Sequence, residues 1–317
     1  VLGEVDDCRV ILDENCLSLS GLDDSEFVHA LEEIADLFSS LVGSCRIGIM
    51  SVVYEVQCRD SLTVMDLCFS SFSRVDRDTR LRISSLLDKC LWIEAEEDDL
   101  IGEVRVGEMA RECSFGMARA LRQAAMGKST CWATVPRSGW HEGWQTFDVG
   151  GDSLDLFVLS ECSQLREFWR GIYTRDPIAE TDFFHFSDLA FPDLLFMESL
   201  SFRRFRGAYH DVLPWMVLLL GAVNDRFSSV LESCQGDQNR VIEEFSAYGL
   251  QISPESPNTK KNKRAWRQRF VEYDGEEYLC EWHGKRLWDA DRVHFSLPIS
   301  KYDLKILIGI FTEHLEI

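Results

Sequence analysis

An apolar run, an amphipathic helix pattern and a second apolar run follow one another at the start of this chain, and that order constrains the fold most. Arg9-Val-Ile-Leu-Asp13 reads as a short buried strand. Phe27, Leu31, Ile34, Leu37, Phe38 and Leu41 then recur at helical spacing, with Asp24 or Ser25 placed to cap the start. Arg46 to Tyr54 reads as a second buried strand that runs into Glu55. Two buried strands joined through a helix pair in parallel, because a crossover of this length is what parallel neighbours need.

The alternation continues. Residues 78–89 read as a helix, Glu94 to Asp99 as a solvated acidic loop or helix start, Gly107 to Ala125 as a further helix, and Thr130 to Val135 as a strand ended by Pro136 and Gly139. An α/β domain with a parallel sheet is therefore expected over residues 1–147, and an α+β domain over residues 148–317. In the second, Leu154 to Leu159 reads as a strand and Ser163 to Tyr173 as a helix. Two more helices make residues 194–231 a helical segment, and Ser253 to Lys260 reads as a linker or exposed loop. Alternating runs on either side of Asp274-Gly275, then Arg292 to Leu297 and Lys305 to Phe311, predict an antiparallel sheet over residues 265–317.

Two domains suit a length of 317 residues, and 45% hydrophobic content is that of a chain with sizeable cores. The longest apolar run, Val212 to Val223, holds Pro214 and Gly221 and falls well short of the roughly 20 residues that span a bilayer. A buried helix is expected there, with no membrane partner. No basic segment followed by an apolar one opens the sequence, so a cytoplasmic location is the expectation. The 11 cysteines are scattered without a CxxC pair and read as reduced core thiols. A net charge of -21 argues against a protein that wraps long DNA, since phosphate neutralisation needs a basic face. Bases do cluster late, at Lys260, Lys261, Lys263, Arg264, Arg267 and Arg269.

Asp13 and Glu55, each closing a buried strand, would meet at the carboxyl edge of a parallel sheet, where open α/β folds place their sites. Glu112, read on the helix with Gly116, offers a third carboxylate. Such acids repel one another, and Mg²⁺ or Mn²⁺ relieves the repulsion while activating water against a phosphodiester. Strand with Asp, long helix, strand with Glu, then an acid before a further strand resembles PIN-like nuclease domains over about residues 5–137, and Asp13-Glu-Asn-Cys is similar to their Asp-x-Asn segment. That resemblance implies Asp13, Glu55 and Glu112 as catalytic metal ligands.

A second constellation lies at the other end. His283, Lys285, Arg292 and His294 fall on successive predicted strands, and Arg292 shares a face with His294 while Val293 and Phe295 take the other. With Lys260, Lys261, Lys263 and Arg264, this face is the candidate nucleic-acid contact, its histidines able to move protons without a metal. Trp282-His-Gly-Lys, Arg292-Val-His-Phe and Ile308-Gly-Ile-Phe-Thr-Glu-His-Leu resemble the last strands of RelE-like toxins. They resemble more closely the C-terminal end of uncharacterised bacterial phage-defence-associated proteins, over about residues 265–317.

These readings lead to the expectation of an antiphage-defence or toxin-type protein, a metal-dependent nuclease acting on RNA or single-stranded DNA. The alternative is a non-catalytic subunit of a defence complex, whose acidic surface recruits a protein partner encoded by a neighbouring gene.

Overall fold

A computed structural model describes residues 8–70, 75–96 and 102–316. The protein is a mixed α/β chain that divides into two compact units, Val1–Phe168 and Trp169–Ile317.

The first unit is built on an eight-stranded sheet. Strands β1 (Val10–Leu12), β2 (Ile47–Met50), β5 (Leu91–Ile93), β8 (Cys131–Ala133) and β10 (Asp152–Leu159) run parallel. Their order across the sheet is β5-β2-β1-β8-β10. Helix α1 (Asp24–Ser44) links β1 to β2 and is closed at its start by a capping box between Asp23 and Glu26, one residue earlier than read from the sequence. The hairpin β3 (Gln57–Arg59) and β4 (Leu62–Thr63), helix α2 (Val64–Phe69) and helix α3 (Arg77–Asp88) lie between β2 and β5. Val10, Ile11 and Leu12 are fully buried, as a central parallel strand requires.

Three expectations are corrected here. Gly107 to Ala125 is not one helix: β6 (Glu103–Val106) and β7 (Met109–Glu112) form a hairpin turned at Gly107, whose φ is +59°, and α4 (Phe115–Ala125) begins only at Ser114. The long second strand also stops at Met50, because residues Ser51–Glu55 coil into a 3₁₀ helix. Finally, the unit reaches beyond residue 147. Strands β9 (Gly143–Val149) and β10 form a hairpin, and β9, β6 and β7 extend the parallel core antiparallel, so a cut at residue 147 would sever hydrogen-bonded strands. Helix α4 packs Met117, Ala120 and Leu121 onto Ile11, Trp132, Phe147, Leu156 and Val158. Part of the acidic stretch Glu94 to Asp99 lies outside the described residues.

The boundary between the units falls inside helix α5 (Leu165–Arg175). In the second unit, residues 194–209 do not form the predicted helix. After the one-turn α6 (Ser187–Ala190) come β11 (Leu194–Phe196) and a 3₁₀ turn at Phe202–Arg204, and Phe202 and Phe205 pack in an aromatic cluster with Phe311. Helices α7 (Tyr209–Ser233) and α8 (Gln238–Ser246) follow. No helix among the described residues is long and apolar enough to cross a membrane. The five-stranded sheet has the order β11-β17-β16-β15-β12, from β12 (Gln251–Pro254), β15 (Trp282–Lys285), β16 (Arg292–Phe295) and β17 (Ile306–Thr312). It is antiparallel apart from its β11 edge, which runs parallel to β17. Strands β13 (Phe270–Tyr273) and β14 (Glu276–Leu279) form the hairpin expected at Asp274-Gly275, both turn residues having positive φ, but as a separate ribbon.

Alternation on β15 and β16 sends Trp282 and Phe295 against Phe227 of α7. A Cβ on Gly284 would lie 2.4 Å from Leu219, so this face admits the helix closely. His283, Lys285, Arg292 and His294 are left on the opposite face, where the helices α9 (Pro257–Lys261) and α10 (Lys263–Arg267) follow β12. The stretch Ser253 to Lys260 is thus strand and helix instead of a linker, and it buries Glu255 and Thr259.

Candidate functional sites

In the first unit the chain runs from β1 to β2 and β5 on one side, then returns to place β8 and β10 on the other. The strand order therefore reverses between β1 and β8, the position at which open α/β sheets hold ligands. Asp13 follows β1 and Thr134 follows β8, and both are buried. A cleft of about 280 Å³ opens there, lined by Asp13, Asn15, Glu112, Ser114, Thr134 and Trp140 among others.

The Asp13 carboxylate accepts from the Asn15 N–H at 3.2 Å and from the Thr134 hydroxyl at 3.2 Å, with Ser114 also beside it. Burial outweighs these bonds and pushes its pKa up to about 6. Glu14 has a different task. Its two oxygens accept the N–H groups of Phe115 at 2.7 Å and Gly116 at 2.9 Å, while the Ser114 hydroxyl accepts that of Met117. Three of the four free donors at the start of α4 are satisfied in this way. Burial first, and the charge of Asp13 second, push Glu14 up to about 7.

The structure separates the three acids singled out in the sequence. Asp13 and Glu112 line one cleft, Glu112 from the end of β7 instead of from a helix. Glu55 ends the 3₁₀ helix after β2, is exposed and does not line that cleft. Among the described residues the one set of three or more His, Cys, Asp and Glu side chains with ligand atoms mutually within 4.8 Å is Glu255, His283 and His294. Asp13, Glu55 and Glu112 do not converge as a three-carboxylate centre.

In the second unit a cavity of about 230 Å³ is lined by Ser253, Glu255, Arg269, His283, Lys285, Arg292 and His314 among others. Cross-strand register sets His283 opposite His294 and Lys285 opposite Arg292. The two imidazoles lie 5.0 Å apart between centroids, and neither Nδ1 has a hydrogen-bond partner among the described residues. Desolvation first, and then His294 and neighbouring cations, hold His283 down to about 2; desolvation and Arg269 hold His294 down to about 3. Both are neutral near pH 7, so proton transfer by this pair, as anticipated from the sequence, does not suit their surroundings.

Glu255 and Arg269, both buried, form an ion pair at 2.8 Å. Glu255 did not stand out in the sequence, since it sits in a Ser-Pro-Glu-Ser-Pro stretch of turn formers, and Arg269 stood out only as the end of a basic run. Glu255 Oε1 is also 3.9 Å and 3.8 Å from the Nδ1 atoms of His283 and His294. Although this trio has the donors of a transition-metal site, the Arg269 guanidinium already holds Oε1. Arg269, Lys285 and Arg292 together would set three positive charges around a dication.

Of the basic segment before the ribbon, Lys260, Arg264, Arg267 and Arg269 are turned to internal partners, while Lys261 and Lys263 are exposed. Lys260 pairs with Glu281 at 2.6 Å, Arg264 with Glu316 at 3.0 Å and Arg267 with Glu277 at 2.5 Å. The expected contact set thus splits: His283, Lys285, Arg292 and His294 are together, whereas Lys260 and Arg264 are engaged by acids of the same chain. Compared with protein-family models, curated proteins and solved structures, the chain matches none.

Proposed function

We propose that the cleft between β1 and β8 is the active site of a metal-dependent nuclease acting on RNA or single-stranded DNA, in a bacterial antiphage-defence or toxin-type protein. The observation that carries this reading is Asp13, a buried carboxyl at the reversal of strand order whose proton affinity is raised by burial. Its surroundings fit a hard cation: hydroxyl and amide donors orient the carboxylate, and Glu112 faces the same cleft. Mg²⁺ is commonly held by one or two carboxylates with water completing its shell, so a full acidic trio is not required. The bound ion would supply an activated water and charge neutralisation at the phosphodiester. Asp13 holds and orients, Thr134 and Ser114 fix the carboxylate, and the buried Trp132 lines the cleft with an indole N–H that has no hydrogen-bond partner among the described residues. The defence setting rests on the likeness of residues 265–317 to phage-defence-associated proteins.

The test is cleavage of labelled RNA and single-stranded DNA in Mn²⁺ or Mg²⁺. Asp13→Ala should abolish it, Glu112→Ala should weaken it, and Glu55→Ala should leave it unchanged. Cleavage untouched by Asp13→Ala removes the assignment. A second reading, a non-catalytic subunit bound to the product of a neighbouring gene, is favoured by the separation of Glu55 from Asp13. It predicts no cleavage under any of these conditions and co-purification with that partner.

A further inference from the structure

Lys285 and Arg292 are direct cross-strand neighbours on β15 and β16, and among the described residues no carboxylate lies close enough to either to form an ion pair, Glu255 and Asp289 attracting them only from farther off. Like charges placed opposite one another destabilise a sheet. The arrangement stands out in a chain of net charge -21, where Lys260, Arg264, Arg267, Arg206, Arg286 and Lys301 all pair with carboxylates. The one acid lining their cavity, Glu255, is already bound to the buried guanidinium of Arg269. Arg292 gives one amino group to the Trp288 carbonyl, while its buried Nη1 has no hydrogen-bond partner among the described residues. Beside these lie the Ser253 hydroxyl, 3.4 Å from His283 Nε2, and the buried His283 Nδ1, which has no hydrogen-bond partner among the described residues. The cavity therefore gathers two unpaired cations and neutral donors around about 230 Å³, room for one tetrahedral oxyanion and part of what carries it.

We propose that this cavity of the second unit is a phosphoryl-anion site, in which Lys285 and Arg292 bind the phosphate oxygens, His283 and Ser253 supply neutral hydrogen bonds, and the Glu255–Arg269 pair holds the wall. Its ligand is a phosphate group, either a terminal monoester on a nucleotide or oligonucleotide, or an internal diester of a nucleic-acid strand. The site is built from residues of the second unit alone, and its test reads binding only, so the outcome for nuclease activity does not bear on it.

Calorimetric titration of the full chain with inorganic phosphate, a 5′-phosphorylated trinucleotide and the same trinucleotide with a 5′-hydroxyl tests it. Lys285→Met and Arg292→Met should each weaken binding by about tenfold or more, the loss expected for one charge-assisted contact. Thermal unfolding of both variants should be unchanged or shifted upward, because each removes one of two repelling charges. Preference for the 5′-phosphorylated probe assigns a terminal phosphate, and equal binding of both trinucleotides assigns a diester; either supports the site. Absence of heat with all three probes at millimolar concentration overturns it, as does affinity unaltered in both variants. Tight Zn²⁺ binding that is lost in His294→Ala, with no phosphate binding, also overturns it.

Discussion

Glu14 and Gly116 are joined by a hydrogen bond of 2.9 Å that ties the turn after β1 to the first turn of α4. The approach leaves no room for a side chain: a Cβ on Gly116 would lie 2.6 Å from the Leu12 carbonyl oxygen and 2.9 Å from Glu14 Oε2. Gly116→Ala should destabilise the first unit by about 1–3 kcal/mol through overpacking. Glu14→Ala should cost more, about 1–3 kcal/mol for each of the two donors, Phe115 N–H and Gly116 N–H, that lose their acceptor. Denaturant unfolding of the two variants checks both.

The Asp13 and Glu14 carboxyls hold protons more tightly folded than unfolded, so their contribution to stability is fully present below about pH 4 and is lost as pH rises through about 6 to 7. Asp13→Asn should flatten that decline and raise the melting temperature at pH 8 relative to wild type. An unchanged pH profile in Asp13→Asn would show that burial does not control this carboxyl.

Mn²⁺ should raise the melting temperature of the wild type more at pH 8 than at pH 5, because protonation of Asp13 competes with the cation and bound ligand stabilises the folded state. The effect should vanish in Asp13→Ala. Equal stabilisation of the variant would place the ion elsewhere.

His283 and His294 behave in the opposite sense. Their folded pKa values are depressed, so their contribution is present above about pH 6.5 and is lost as pH falls below it, at up to about 1.4 kcal/mol per pH unit for each histidine. His294→Phe should remove about half of that acid-side loss, read as unfolding free energy between pH 7 and pH 5. A variant that loses stability on acidification as steeply as wild type would refute it.

Replacing Lys260, Lys261 and Lys263 with Ala should leave the salt dependence of RNA binding within one contact, a slope change below about 0.7. Lys260 already spends its charge on Glu281, and its exposed pairing is worth under about 1 kcal/mol of stability. A flatter slope in the triple variant would restore this segment as a phosphate grip.

The parallel core was readable from the sequence at β1, β2 and β8, which are apolar runs, and α1 and α7 carry clear helical periods, whereas β10, polar in its first half, was read as a strand but assigned to the second domain. What was lost lay where tertiary pairing overrides local pattern. The β6–β7 hairpin hides in Glu103 to Glu112 because its strands are half exposed and mix charges with small residues. Asp13 was found from its place after an apolar run. Glu55 was misplaced because the run from Arg46 to Tyr54 does not reveal that the backbone leaves the sheet at Met50. On β15 and β16, alternation alone correctly put Arg292 and His294 on one face. The partners that give that face its chemistry, Glu255 and Arg269, come from a segment with no periodicity to betray it.

The central strand of the first unit has a further consequence, for synthesis on the ribosome. β1 can pair with β2 soon after it emerges, yet its other neighbour is β8, and Asp13 and Thr134 are 121 positions apart. At roughly 5–20 residues per second, the β8 side of β1 is exposed for on the order of ten seconds before its partner is made. During that interval a wholly apolar Val10-Ile11-Leu12 edge is open to pairing with other chains. The nascent protein therefore has its greatest need of chaperone cover before α4 and β8 leave the exit tunnel, and truncation ahead of residue 131 should yield aggregates, not a smaller folded domain.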